Sequence, residues 1–159
     1  MVKKIGVVLL LAIAAGVIFY NWNEYREKSM TDVIPLHAGE WTWMAFSKNR
    51  PAPDAKPFEW ETKEKEPMEE LLSFLSQYRV KRKHVGYEAL SQEVTALRNS
   101  GSAFEFELVR DKSETVLIYA NNDTVYVLTD RLYEIKNGPI NSEWIDTFNE
   151  KYRKIYGNS

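Results

Sequence analysis

Residues 5–20 read IGVVLLLAIAAGVIFY, sixteen consecutive positions without a charge or a strongly polar group. No other feature of the chain restricts its fold as much, because such a run must be hidden from water along its whole length. As an α-helix, at about 1.5 Å per residue, it spans about 24 Å, and extension to Trp22 adds about 3 Å. The hydrocarbon core of a bilayer is about 30 Å thick, so the run reads as a short membrane span with Tyr20 and Trp22 at one rim. The alternative is a buried helix of a soluble domain, but Lys3 and Lys4 just ahead of the run match a signal or signal anchor. Ala12-Ile13-Ala14 would serve as a cleavage site, yet apolar residues continue past it, which favours a retained anchor. Residues 1–22 are therefore expected to form an anchor, with the membrane as partner of residues 5–22.

Polar residues 23–32 then read as a stalk, and residues 33–157 as one domain. Lys3 and Lys4 on one flank nearly balance Arg26 and Lys28 on the other. The short basic tail decides the orientation, giving a single-pass protein of the cell membrane with a cytoplasmic N-terminus and an extracytoplasmic domain.

The rest of the chain has the makings of a core. It carries five Trp, nine Tyr and seven Phe, and a formal net charge of −2. A mildly acidic domain is a poor nucleic-acid binder, since neutralising phosphates needs a basic face. There is no cysteine, which removes disulfides, thiolate metal sites and thiol nucleophiles together. An exported domain without disulfides suits a bacterial envelope better than a small secreted animal module.

Periodicity predicts the elements. Residues 33–37 and 41–47 read as strands, and the proline-rich stretch 48–57 as a loop. Phe58, Trp60 and Thr62 alternate with Glu59, Glu61 and Lys63, the period-2 pattern of a half-buried strand with its glutamates solvated. Met68, Leu71, Leu72, Leu75 and Tyr78 fall on one helical face behind Pro67. Leu90, Val94 and Leu97 suggest a second helix ending near Gly101. Residues 103–110, 115–119, 125–129 and 132–135 form a meander separated by turn residues. A final helix, capped by Ser142 and ended by Gly157, carries Trp144, Ile145, Phe148, Tyr152, Ile155 and Tyr156. The expected fold is α+β: an antiparallel sheet of about five to seven strands with two or three packed helices, preceded by one transmembrane helix.

Motifs of known chemistry are missing. His37 and His84 belong to no metalloprotease or serine-hydrolase arrangement, and the seven glycines form no phosphate cradle. Asn121-Asn122-Asp123 reads as a hairpin turn rather than a calcium loop. No catalytic residue, metal ligand or cofactor is expected.

Two groups of residues remain as candidate binding surfaces. Arg79, Lys81, Arg82, Lys83 and His84 form a basic strip that would suit an anionic envelope polymer, lipid headgroups or an acidic protein. Alternatively, the acidic residues between Glu59 and Glu70 neutralise it within the fold. Trp41 and Trp43, two apart on a strand, either share the inner face of the sheet or mark a contact surface. Thr42 and Met44 would then lie on the opposite face.

From Phe58 onward, the order of strand, Leu-rich helix, Tyr- and Val-rich meander and closing amphipathic helix resembles small membrane-anchored proteins of unknown function in Gram-positive, spore-forming bacteria. The likeness spans about 100 residues of pattern. It implies an envelope location and carries over no functional residue. The expected function is a non-catalytic interaction or sensing domain. A carboxylate-dependent envelope hydrolase and a small-ligand carrier are the alternatives.

Overall fold

The C-terminal meander forms the middle of the sheet. In a computed structural model of the chain, which describes residues 2–34, 41–48, 58–111, 114–128 and 131–157, β5 (Phe104–Asp111), β6 (Glu114–Ala120), β7 (Thr124–Val127) and β8 (Arg131–Ile135) pair in sequence order. The β6–β7 turn is closed by Asn121, whose side-chain oxygen accepts from the N–H groups of Asp123 and Thr124 at 3.0 and 2.9 Å. This is the turn chemistry that the Asn-Asn-Asp sequence predicts.

The N-terminal half supplies both flanks. β2 (Trp43–Ser47) joins β5 and is followed outward by β3 (Trp60–Thr62). β4 (Arg79–Arg82) joins β8 and is followed outward by β1 (Lys28–Ser29). The result is an eight-stranded antiparallel sheet in the order β1-β4-β8-β7-β6-β5-β2-β3 among the described residues, one strand beyond the expected range. The open edge of β3 is partly closed by a bridge from Trp60 to Gly157, which limits edge-to-edge pairing.

Five helices accompany the sheet among the described residues: α1 (Val2–Tyr25), α2 (Met30–Val33), α3 (Lys65–Ser76), α4 (Tyr87–Arg98) and α5 (Ser142–Tyr156). α3 and α5 cover one face through Leu71, Leu75, Phe148 and Tyr152, all buried in one cluster with Phe46, Phe106, Ile118 and Val125. α4 covers the other face, where Leu97 packs with Tyr126 and Leu132. Strand alternation explains the division, because Tyr126 and Leu132 point opposite to their neighbours Val125 and Tyr133.

Several local expectations are corrected. The end of the presumed stalk belongs to the domain: Lys28 and Ser29 pair with β4, and Met30 is completely buried. A single apolar side chain among polar neighbours carries no periodic signal, so the sequence hid this. Val33 ends α2 rather than starting a strand, because the Ser29 N–H donates to the Asp32 carboxylate and starts a helical turn. The remainder of that strand and residues 49–57 of the loop lie outside the described residues. Asn141, not Ser142, caps α5, accepting from the Trp144 N–H at 3.1 Å. Ile155 falls off the buried stripe and is exposed.

α1 runs as one helix through residues 5–20 and onward to Tyr25. Among the residues with described side chains, no helix is long and apolar enough to cross a membrane.

Candidate functional site

Helix α1 ends with Glu24 and Tyr25 in a last turn that holds no basic residue. A carboxylate there opposes the negative end of the helix dipole and calls for cations from elsewhere. The fold brings three. Arg82 donates to Glu24 Oε1, Arg131 Nε lies 3.7 Å from the same oxygen, and Lys28 Nζ lies 3.8 Å from Oε2. The Glu24 side chain is only 11% exposed, so it is the shared anion of this group.

Tyr25 completes the arrangement. Its ring stacks on His84 with centroids 3.8 Å apart and planes 15° apart, and the Arg82 guanidinium lies 5.6 Å from its centre. Between the end of α1 and the start of α4 lies a cleft of about 60 Å³ with mostly polar walls, lined by Tyr25, Arg82, Lys83, His84, Leu90 and Leu132 among others. Lys83 donates to Glu93 of α4 at 2.9 Å, both side chains being partly exposed.

The rest of the basic strip is dispersed by strand alternation. Arg79 is exposed at the far end of β4, where its guanidinium donates to the Glu27 carbonyl at 3.3 Å. Lys81 is exposed opposite Glu134 on β8. The Glu134 carboxyl is held below its ordinary range, chiefly by a hydrogen bond from Lys136. Burial pushes the Tyr133 phenol upward, partly offset by Arg131. Of the five basic candidates, the structure thus gathers Arg82, Lys83 and His84 into one corner and leaves Arg79 and Lys81 outside it.

Glu59, Glu66 and Glu70 of the acidic segment find partners other than this strip. β3 and β4 lie on opposite flanks of the sheet. Glu59 accepts from the Lys48 N–H at 3.0 Å and from Asn149 Nδ2 at 2.9 Å, so it is engaged rather than solvated. Glu66 and Glu70 both hold Lys151 of α5, at 3.3 and 2.7 Å. The strip is instead met by Glu24 and Glu93, two residues absent from the candidate list. Glu24 had a legible signal, an acid at a helix C-terminus. Glu93 had none.

Trp41 and Trp43 do not join this corner. β2 lies five strand spacings from β4, about 24 Å. The expected face assignment is also reversed. Met44 and Phe46 are the fully buried, helix-covered side chains, whereas Trp43 is half-buried on the other face, edge-on to Phe58 at 6.5 Å. Trp41 precedes the strand, so alternation does not govern it. It is buried in the main core, with its indole N–H finding no acceptor among the described residues. The pair is therefore split between core and surface.

No group of side chains suited to hold a metal ion occurs among the described residues. Chemically, the α1–β4 corner sets two cations, Arg82 and Lys83, with His84 on the wall of a small polar cleft. Comparison with family models, curated proteins and solved structures returns no match for this chain.

Proposed function

We propose that this protein is a non-catalytic interaction domain of the cell envelope. Helix α1 would anchor it in the membrane and hold its basic corner next to the bilayer for an anionic partner. The observation that carries the reading is the insertion of Glu24 and Tyr25, the last turn of α1, among Arg82, Arg131, Lys28 and His84. A flexible tether would leave the domain free to turn, whereas this junction fixes which surface faces the anchor. Tethering also raises the local concentration of the domain toward neighbours in the same membrane. The uncharged run of residues 5–20 and its basic N-terminal flank support the anchor and its orientation. Of the six carboxylates between Glu59 and Glu70 that a hydrolase would draw on, Glu59, Glu66 and Glu70 are taken up in pairs with Asn149 and Lys151.

In-cell crosslinking of the tagged full-length protein tests the reading. One partner recovered in near-equal amount, and lost when Arg79, Lys81, Arg82 and Lys83 are changed to Glu, supports it. Recovery of the same partner with the reversed strip removes the strip from the function, provided circular dichroism shows both proteins folded.

A further inference from the structure

The position of the basic corner along α1 names its first anionic partner, and this step rests on the anchored reading above. Residues 5–20 end at Tyr20, and Glu24 and Tyr25 follow about 6 to 8 Å further along the helix axis. The headgroup region of a bilayer adds about 5 to 8 Å on each side of the hydrocarbon core. Glu24 and Tyr25 thus lie at headgroup height when α1 spans. So do the two side chains in direct contact with them, Arg82 and His84. Trp22, 62% exposed one turn earlier, sits where interfacial aromatic residues concentrate.

The chemistry at that height suits a phosphate ester. Arg82, Arg131, Lys28 and Lys83 outnumber Glu24 and Glu93, so the corner keeps net positive charge. Lys83 and Glu93 are both partly exposed, and an exposed pair of this kind is worth at most about 1 kcal/mol. An incoming phosphate can therefore replace Glu93 at little cost. Tyr87 adds an independent sign. It begins α4 three residues after His84 and is 89% exposed, the most exposed large apolar side chain in the described domain. At a membrane surface such a ring would lie among the headgroups, as interfacial tyrosines do.

We infer that the cleft between the end of α1 and residues 82–84 binds the phosphodiester headgroup of an anionic lipid in the membrane that α1 crosses. The headgroup is held by Lys83, Arg82 and His84, with Tyr87 at the rim. The domain is then fixed to the bilayer at two points, the helix and the lipid, which sets the direction in which Arg79 and Lys81 face.

The test uses the full-length protein in a neutral detergent, with thermal unfolding followed as short-chain phosphatidylglycerol is added. Dihexanoylphosphatidylcholine and inorganic phosphate serve as comparisons. A ligand that binds only the folded state raises the midpoint with concentration. Phosphatidylglycerol is expected to raise it and phosphatidylcholine to leave it unchanged. In Lys83→Gln the apparent affinity should fall about fivefold, the loss expected for one basic group at an anionic surface. Lys83→Gln/His84→Gln should weaken it further, each shift being read against the variant's own lipid-free midpoint. Equal shifts with phosphatidylcholine would mean that the net negative charge of the headgroup is not what binds, and equal shifts with phosphate would mean a soluble ligand. Either result overturns the inference, as does an undiminished shift in the variants or no shift at all. An alkaline wash of membranes holding the same protein separates the two levels. A chain that washes off removes the anchor and this inference together, whereas a chain that stays but shows no lipid-dependent shift removes the lipid site alone.

Discussion

Two ion clusters sit at opposite flanks of the sheet and share a design, one charge serving several partners. At the β3 flank the shared charge is Lys151, which holds Glu66, Glu70 and the Tyr152 hydroxyl. At the β4 flank it is Glu24, which holds Arg82, Arg131 and Lys28. What differs is the ground beneath them. The Lys151 cluster caps an aromatic stack in which Trp60, fully buried, packs on Phe46 at 5.4 Å, Phe148 at 5.7 Å and Tyr152 at 5.5 Å. Below it the Trp60 N–H donates to Asn149 at 2.7 Å, and Asn149 donates to Glu59, so the buried polar groups satisfy one another. The Glu24 cluster instead borders an open polar cleft and joins the domain to a helix outside its core. The same chemistry locks α5 to α3 at one flank and leaves a usable surface at the other. Burial beneath the charges decides which.

Trp60→Ala attacks the first flank at its centre and should have the largest effect. It empties the stack and leaves the Asn149 carbonyl without its donor, at a cost of about 3–5 kcal/mol. Urea unfolding of the protein measures this directly. A cost near 1 kcal/mol would mean that the β3 flank is no better packed than the β4 flank, and the contrast would fail.

Tyr152→Phe removes only the hydroxyl that donates to Glu70 at 2.5 Å, with an expected cost of about 1–2 kcal/mol at neutral pH. Its pH dependence sharpens the comparison. Burial and the hydrogen bond to Glu70 push the Tyr152 phenol from 10.0 up to about 12. A raised value in the folded state stabilises the fold fully below pH 10 and is lost as pH rises toward about 12. The wild type should therefore lose stability over that alkaline window, and the Phe variant should lose less. Glu70 behaves in the opposite sense. Burial opposes its ionisation, but hydrogen bonds from Lys151 and Tyr152 prevail and hold its carboxyl below the ordinary value of 4.5. Its contribution is present above that value and fades as pH falls through the lowered one.

Glu24→Gln should have the smallest effect on the domain, about 1 kcal/mol, because it removes a charge without emptying the core and leaves Arg82 and Arg131, 25% and 44% exposed, within reach of water. The change should be local, with faster amide exchange in residues 22–29 and the core unaffected. A cost comparable to that of Trp60→Ala would make the α1 junction part of the core and would undo the distinction between the two flanks.

Local periodicity wrote much of this fold into the sequence. The meander, α3 and α5 follow from runs of apolar residues at spacings of two or three to four, which act on backbone and neighbours within a few residues. The length and apolarity of residues 5–20, and the lack of cysteine and of phosphate or metal motifs, are likewise matters of composition and order. Tertiary structure alone decided which charges meet. Strand order places β3 and β4 on opposite flanks, and Glu66 and Glu70 on α3 pair with Lys151 of α5, while Glu24 reaches Arg82 across fifty-eight positions. It also recruited Met30 from the presumed stalk and turned Trp43 away from the face that Met44 shares with Phe46. Periodicity is a property of neighbours along the chain, whereas an ion pair or a buried face depends on what the rest of the sheet brings alongside.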